Sequence, residues 1–153
     1  MTPAILFLEK QHAPFTLHQY DCTAHDDFGA HAAAQLKVPL AKVFKTLLTE
    51  GEQGAVVALV PSSGKLNLKR LAKAAGMKKL QMMKPDTAER LTGFKVGGIS
   101  PFAQKKRLIT VVDVSANQHA EILVSGGKRG LSLGVSASVL QTLLDAVIAD
   151  IAE

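Results

Sequence analysis

The sequence predicts an α+β fold: a mixed, mostly antiparallel sheet, either open or closed into a β-barrel, flanked by helices. Three observations carry that reading. Short runs rich in Val, Ile, Leu and Thr outnumber the helical stretches. Helices are interspersed among them without strict alternation, which disfavours a doubly wound parallel sheet. The length of 153 residues fits one domain, 1–153, large enough to bury a core of its own.

The elements follow in order. "TPAILFLEKQ" opens as a helix, with Thr2 as a cap and Pro3 in the first turn. "FTLHQY" reads as a strand, and alanine-rich "FGAHAAAQL" as a short helix ending before Pro39. "VFKTLLTEGEQGAVVALVP" reads as two strands joined at "EGEQG". In "NLKRLAKAAG", Leu68, Leu71, Ala72 and Ala75 share one helical face, Asn67 caps the start and Gly76 closes the end. "KKLQMM" is a short strand, and "PDTAERLTG" a helix from Pro85 to Gly93. "LITVVDV", "AEILVSG" and "GLSLGV" are strands. The closing "SASVLQTLLDAVIADIAE" carries an apolar stripe from Val139 to Ile151 and is expected to be one core-facing helix.

Composition narrows the function classes. No apolar run approaches the roughly 20 residues that span a bilayer. "MTPAILFLEKQ" lacks a basic leader and makes a poor signal peptide. A single cysteine, Cys22, permits no internal disulfide and fits a reducing compartment, so a cytoplasmic protein without a membrane partner is expected. The net charge of +5 conceals an asymmetry: residues 65–107 hold 12 Lys and Arg against Asp86 and Glu89, a balance of +10, and the remainder carries −5. A middle third this cationic attracts polyanions, of which nucleic acid is the commonest large example. A solvated lysine face is the plainer alternative.

Standard catalytic signatures are absent: no G-x-S-x-G, no Walker phosphate loop, no H-E-x-x-H and no paired C-x-x-C. "DCTAHDDFGAH" gathers Cys22, His25, Asp26, Asp27 and His31, yet no second ligand group has matching spacing, and loop polarity explains it better than a metal. Asp21 beside Cys22 works against a reactive thiolate. Lys45 stands out because strand alternation leaves it among mostly apolar residues on either face: Val43 and Leu47 beside it, Phe44, Thr46 and Leu48 opposite. A packed stem with its ammonium reaching water is one account, and a cation aimed at an anion or carbonyl oxygen is the other. "KVGGISP" and "VSGGKRG" each join aliphatics to a Gly-Gly pair near cations. Such turns bring backbone N–H groups close to a ligand, or serve as tight hairpin turns.

In their order and approximate spacing, "FGAHAAAQL", "VFKTLL", "LNLKRLAKAAGMKKLQM", "TGFKVGGISPFAQKKR" and "VSGGKRGLSL" resemble the YbaK family, free-standing relatives of the editing domain of bacterial prolyl-tRNA synthetase. The similarity runs from "TPAI" to the end of the chain. It implies a barrel wrapped by helices, a cleft for the aminoacylated 3′ end of tRNA, and clearance of a mischarged amino acid without metal or other cofactor. Carried over by motif, Lys45 matches the family's key lysine, and Gly97 and Gly98 the catalytic glycine loop beside the ester. Thr46 and Ile99 flank those positions, Tyr20 and Phe28 match cleft aromatics, and Ser125, Gly126 and Gly127 match the second loop. Ser132 stands where some relatives carry Asp. The chain is most similar to the subgroup that deacylates Cys-tRNA(Pro) in trans, with the substrate thiol as nucleophile. An Ala-tRNA(Pro) deacylase and a non-catalytic tRNA-binding module are the alternatives. The implied partners are tRNA and, transiently, prolyl-tRNA synthetase.

Overall fold

The computed structural model describes residues 1–153. The first helix, α1 (Pro3–Lys10), starts where its sequence dictates: the Thr2 hydroxyl oxygen accepts the Ile5 N–H, and Pro3 needs no amide partner in the first turn. The same hydroxyl donates to the Gly126 carbonyl, tying the chain start to a distant loop. After β1 (Thr16–Gln19) comes α2 (Phe28–Leu36), and then β2 (Phe44–Gly51) and β3 (Gly54–Pro61) fold back on each other over Glu52 and Gln53.

Two short helices bracket the next strand. In α3 (Leu68–Ala74) the Asn67 side chain accepts the Arg70 N–H, filling the cap that the sequence proposes. β4 (Gln81–Met82) leads into α4 (Pro85–Thr92), which ends at Gly93 in the left-handed region. β5 (Ile109–Asp113), β6 (Ile122–Ser125), β7 (Leu131–Val135), α5 (Ala137–Leu144) and β8 (Val147–Ala149) complete the chain.

The strands form two sheets. One has the order β4-β2-β3-β5-β8, with parallel pairing of β3 to β5 and of β5 to β8; the other, β1-β7-β6, is antiparallel throughout. The mixed α+β architecture is as expected, but the barrel is open. The only pairing between the sheets is an isolated parallel bridge from Val43, just before β2, to Leu123 of β6, so the ring of hydrogen bonds does not close. The main core, which includes Phe44, Leu59, Phe102, Leu133 and Leu140, joins the two sheets to α1, α4 and α5. A second cluster, with Val56, Val60, Leu71 and Ile151, places α3 on the opposite face of the five-stranded sheet. No helix is long and apolar enough to cross a membrane.

The expected C-terminal helix is corrected. It stops at Leu144, where Asp145 adopts φ 52° and ψ 37°, and Val147–Ala149 pair with Val111–Asp113 as a strand. Asp113 explains the departure: its buried carboxylate accepts the N–H groups of Ile151, Ala152 and Ser115 and the Ser115 hydroxyl. A neighbouring sheet edge and β-branched Val147, Ile148 and Ile151 together override the helical stripe.

Candidate active site at the open seam

Where the barrel fails to close, a cleft of about 340 Å³ opens between the two sheets. Its location follows from the pairing of β2. Between the Val43 bridge and Leu48, whose carbonyl accepts the Met83 N–H, no strand pairs with the outer edge of β2. Because main-chain groups alternate sides along a strand, the N–H and C=O of Thr46 face the same way as the Leu48 carbonyl, toward that unpaired edge. Phe44, Lys45, Thr46, Leu47 and Leu48 form one wall; Leu123, Val124, Ser125, Leu131 and Ser132 of the other sheet form another. Phe28 and Gly29 at the start of α2 and Met82, Met83 and Ala88 on the β4–α4 side complete most of the lining, which is largely apolar.

Lys45 is paired with Val60 in the register and half-buried, with Leu47 beside it packed against the second core cluster. Its Nζ donates to the Gly64 carbonyl at 3.4 Å, and none of the four ion pairs of the structure includes it. Lys45 thus lines a largely apolar cleft with its ammonium unpaired by any carboxylate. Two buried hydroxyls, Thr46 Oγ1 and Ser62 Oγ, have no hydrogen-bond partner. Ser62 lies so close to Gly29 that a Cβ there would collide with it, which accounts for glycine in the first turn of α2.

The two glycine turns divide their labour. Gly97, at φ 88°, and Ile99 line the cleft, and neither N–H takes part in a hydrogen bond within the chain. Gly98 stands outside the lining; its N–H donates to the Lys95 carbonyl at 2.8 Å, and a Cβ there would lie 2.8 Å from Lys128 Cα. Only Ser125 of the second turn reaches the cleft. Gly126 is packed under Leu131, Gly127 donates its N–H to Ser125 Oγ at 3.2 Å, and the pair thereby shapes the loop from behind. Of the ten residues singled out from the sequence, Tyr20, Phe28, Lys45, Thr46, Gly97, Ile99 and Ser125 converge on the cleft, whereas Gly98, Gly126 and Gly127 do not line it.

Tyr20 and Ser132 sit together at the far wall. Burial pushes the Tyr20 phenol above its ordinary value and nearby Cys22 adds to this, against smaller opposing effects from Gly130 and Ser132. The phenol therefore stays protonated at neutral pH and available as a donor. Cys22 itself does not line the cleft. His31 is occupied locally, with Nε2 within reach of the Asp21 carbonyl at 2.9 Å and the Thr23 N–H at 3.4 Å, and no three of His, Cys, Asp and Glu gather in a metal-holding group. Sequence reasoning did not single out Ser132 as a lining residue, Asp27 as the cleft's one carboxylate, or Met82 and Met83 as lining. Asp27 carries a local signal only in hindsight, since φ 44° is unusual for a non-glycine residue.

The aminoacyl-tRNA editing domain model matches residues 27–143, a span containing every lining residue except Tyr20. EbsC of Enterococcus faecalis, provisionally named a Cys-tRNA(Pro)/Cys-tRNA(Cys) deacylase, is 34% identical over 98% of this chain and 92% of its own length. The proline–tRNA ligase of Geobacter metallireducens is 29% identical over 76% of this chain, which corresponds to 20% of the ligase. Among solved structures, that of hypothetical protein APE2540 superposes with a TM-score of 0.89 at 25% identity, covering 99% of both chains. With the unpaired edge of β2 and both glycine turns inside the matched residues, the chain belongs to the aminoacyl-tRNA editing domain family.

Proposed function

We propose that this chain is an aminoacyl-tRNA deacylase that acts in trans on Cys-tRNA(Pro). One observation carries the reading: Lys45, Thr46, Gly97 and Ile99, the last two with unbonded N–H groups, line one largely apolar cleft that contains no His, Cys or Glu. The hydroxyls of Thr46, Ser125 and Ser132 are present, but no histidine base accompanies them. An aminoacyl ester needs orientation more than it needs a protein nucleophile. The likeness to EbsC over nearly the whole of both chains supports the substrate class.

The thiol of the cysteinyl group then supplies the nucleophile. Its sulfur loses a proton and attacks the ester carbonyl; the new C–S bond closes a cyclic thiolactone as the C–O bond to the terminal ribose breaks. The ribose oxygen takes up the proton, so free tRNA leaves without consuming water in that step. The Gly97 N–H is the donor for the developing oxyanion. Gly98, placed in the same catalytic loop by the family resemblance, has its N–H committed to Lys95 and acts as a spacer. Lys45 holds a phosphate or ribose oxygen of the terminal nucleotide, and the Thr46 carbonyl on the unpaired strand edge accepts from the α-amino group.

The test is deacylation of Cys-, Ser- and Ala-tRNA(Pro) by the purified protein. Cys-tRNA(Pro) is expected to be cleared fastest, because only the cysteinyl group carries the thiol nucleophile. Equal rates on all three reject the thiol mechanism, and preference for Ala-tRNA(Pro) reassigns the substrate. Binding without turnover leaves a tRNA-binding module. A transient complex with prolyl-tRNA synthetase belongs to the same proposal, and the ligase likeness supports it. Adding that synthetase should sharpen selectivity for Cys-tRNA(Pro) over Cys-tRNA(Cys); unchanged selectivity removes it.

A further inference from the structure

Arg129 has no part in the chemistry just described, yet its contacts are unusually directed for an exposed side chain. Its Nε donates to the Val96 carbonyl at 2.9 Å, a bond that joins the second glycine turn to the first. Its guanidinium carbon lies 4.6 Å from the centroid of the Phe28 ring, at the start of α2. A Cβ at Gly97 would stand 2.9 Å from that same Nε and 2.8 Å from the Phe28 ring. Gly97 is thus enclosed by the arginine and the aromatic ring that the arginine covers. Behind it, Gly98 rests on the backbone of Lys128 and Arg129. None of the ion pairs in the structure includes Arg129.

We infer that Arg129 is a positioning residue: it braces the two glycine turns against Phe28 and thereby fixes where the Gly97 N–H stands in the cleft. The inference rests on the proposed deacylase reading for its kinetic consequence but not for the brace itself. The physical argument is one of shape. A planar guanidinium can stack on a ring while its Nε–H donates in the plane of the fork, so one side chain sets both the distance and the tilt of the neighbouring loop. Lysine keeps the charge and can cover the ring, but it has no Nε–H in that plane. At an exposed site the net charge is screened, so direction rather than attraction is the lasting contribution. Gly97, lacking a side chain, cannot hold its own turn.

The experiment compares wild type with Arg129→Ala and Arg129→Lys, using Cys-tRNA(Pro) turnover and amide hydrogen exchange. A displacement of about 1 Å in a catalytic group can lower the rate about 10²-fold. Arg129→Ala is therefore expected to lose kcat by that order with little change in KM, and Arg129→Lys to recover little of it. Exchange at the Gly98 N–H, protected by Lys95 in the wild type, should accelerate in both variants while the main-core strands keep their protection. Full rescue by lysine would overturn the inference in favour of a charge role. So would a raised KM at unchanged kcat, which marks a phosphate contact, or an unaltered Gly98 exchange rate. If the wild type shows no turnover, the deacylase reading fails and the exchange data alone decide the brace.

Discussion

Lys45 has one hydrogen bond, to a carbonyl, and no carboxylate within ion-pair distance, so its ammonium is held ready without being used by the fold. Lys45→Ala should therefore leave thermal unfolding nearly unchanged while deacylation falls about 10²-fold or more, the loss expected when the group that positions the terminal nucleotide is removed. Normal turnover in that variant would remove Lys45 from the site. Gly98 makes the opposite prediction. A methyl group 2.8 Å from Lys128 Cα must displace backbone, so Gly98→Ala should cost about 1–3 kcal/mol in denaturant unfolding and lower the rate as well. At this scale the sequence makes Lys45 conspicuous, as a cation among aliphatics, and marks both glycine turns. It does not show which glycines face the ligand. Gly98, Gly126 and Gly127 look the same as Gly97 on the page, and only the approach of one loop to the other separates them. Arg129 was hidden for the same reason, because its partners Val96 and Phe28 are remote in the chain.

Among the elements, β5 and the C-terminal segment depend on each other through Asp113. Burial alone would raise this carboxyl, but hydrogen bonds from Ser115, Ile151 and Ala152 outweigh it and hold the group below its ordinary value of 3.8. A depressed carboxylate contributes stability that is present above the unfolded-state value and is lost as pH falls through the folded one. The melting temperature should accordingly drop below about pH 4. Asp113→Asn should be less stable than wild type at pH 7, with the gap narrowing in acid; a pH-independent gap would show that the charge of Asp113 is immaterial. Asp113→Ala leaves three backbone N–H groups without their acceptor and should lose about 3 kcal/mol or more. Caps made most elements legible from sequence: Thr2, Asn67 and Gly93 act where their chemistry predicts. The end of the chain was not legible. An apolar stripe at helical spacing also satisfies a bend followed by a strand, and the deciding partner, the edge of β5, lies more than thirty residues upstream.

For the molecule as a whole, charge and topology act together. All 12 basic residues of the middle third are exposed, and only Arg70 and Arg107 among them form ion pairs, with Asp150 and Asp145. Most of this charge is therefore available to a polyanion. Binding of tRNA should weaken steeply with added salt, and the slope should fall by about one for each phosphate contact removed. Lys69→Glu combined with Lys73→Glu, on the exposed face of α3, is expected to raise KM at constant kcat; an unaltered KM would show that the RNA leaves the cleft by another side. The fold class and the charge asymmetry were both readable from the sequence, whereas the gap in the barrel was not, because where two strands stop pairing depends on neighbours from opposite ends of the chain. That gap has a further consequence. A strand flank with nothing bonded to it ordinarily invites another sheet to dock and starts aggregation. Here the bare flank is recessed between a helix start and a two-residue strand, so a slender single-stranded tip can enter where a broad sheet is kept out. Deleting the shield formed by Gln81 and Met82 should turn a selective doorway into a sticky one, seen as self-association that rises with protein concentration.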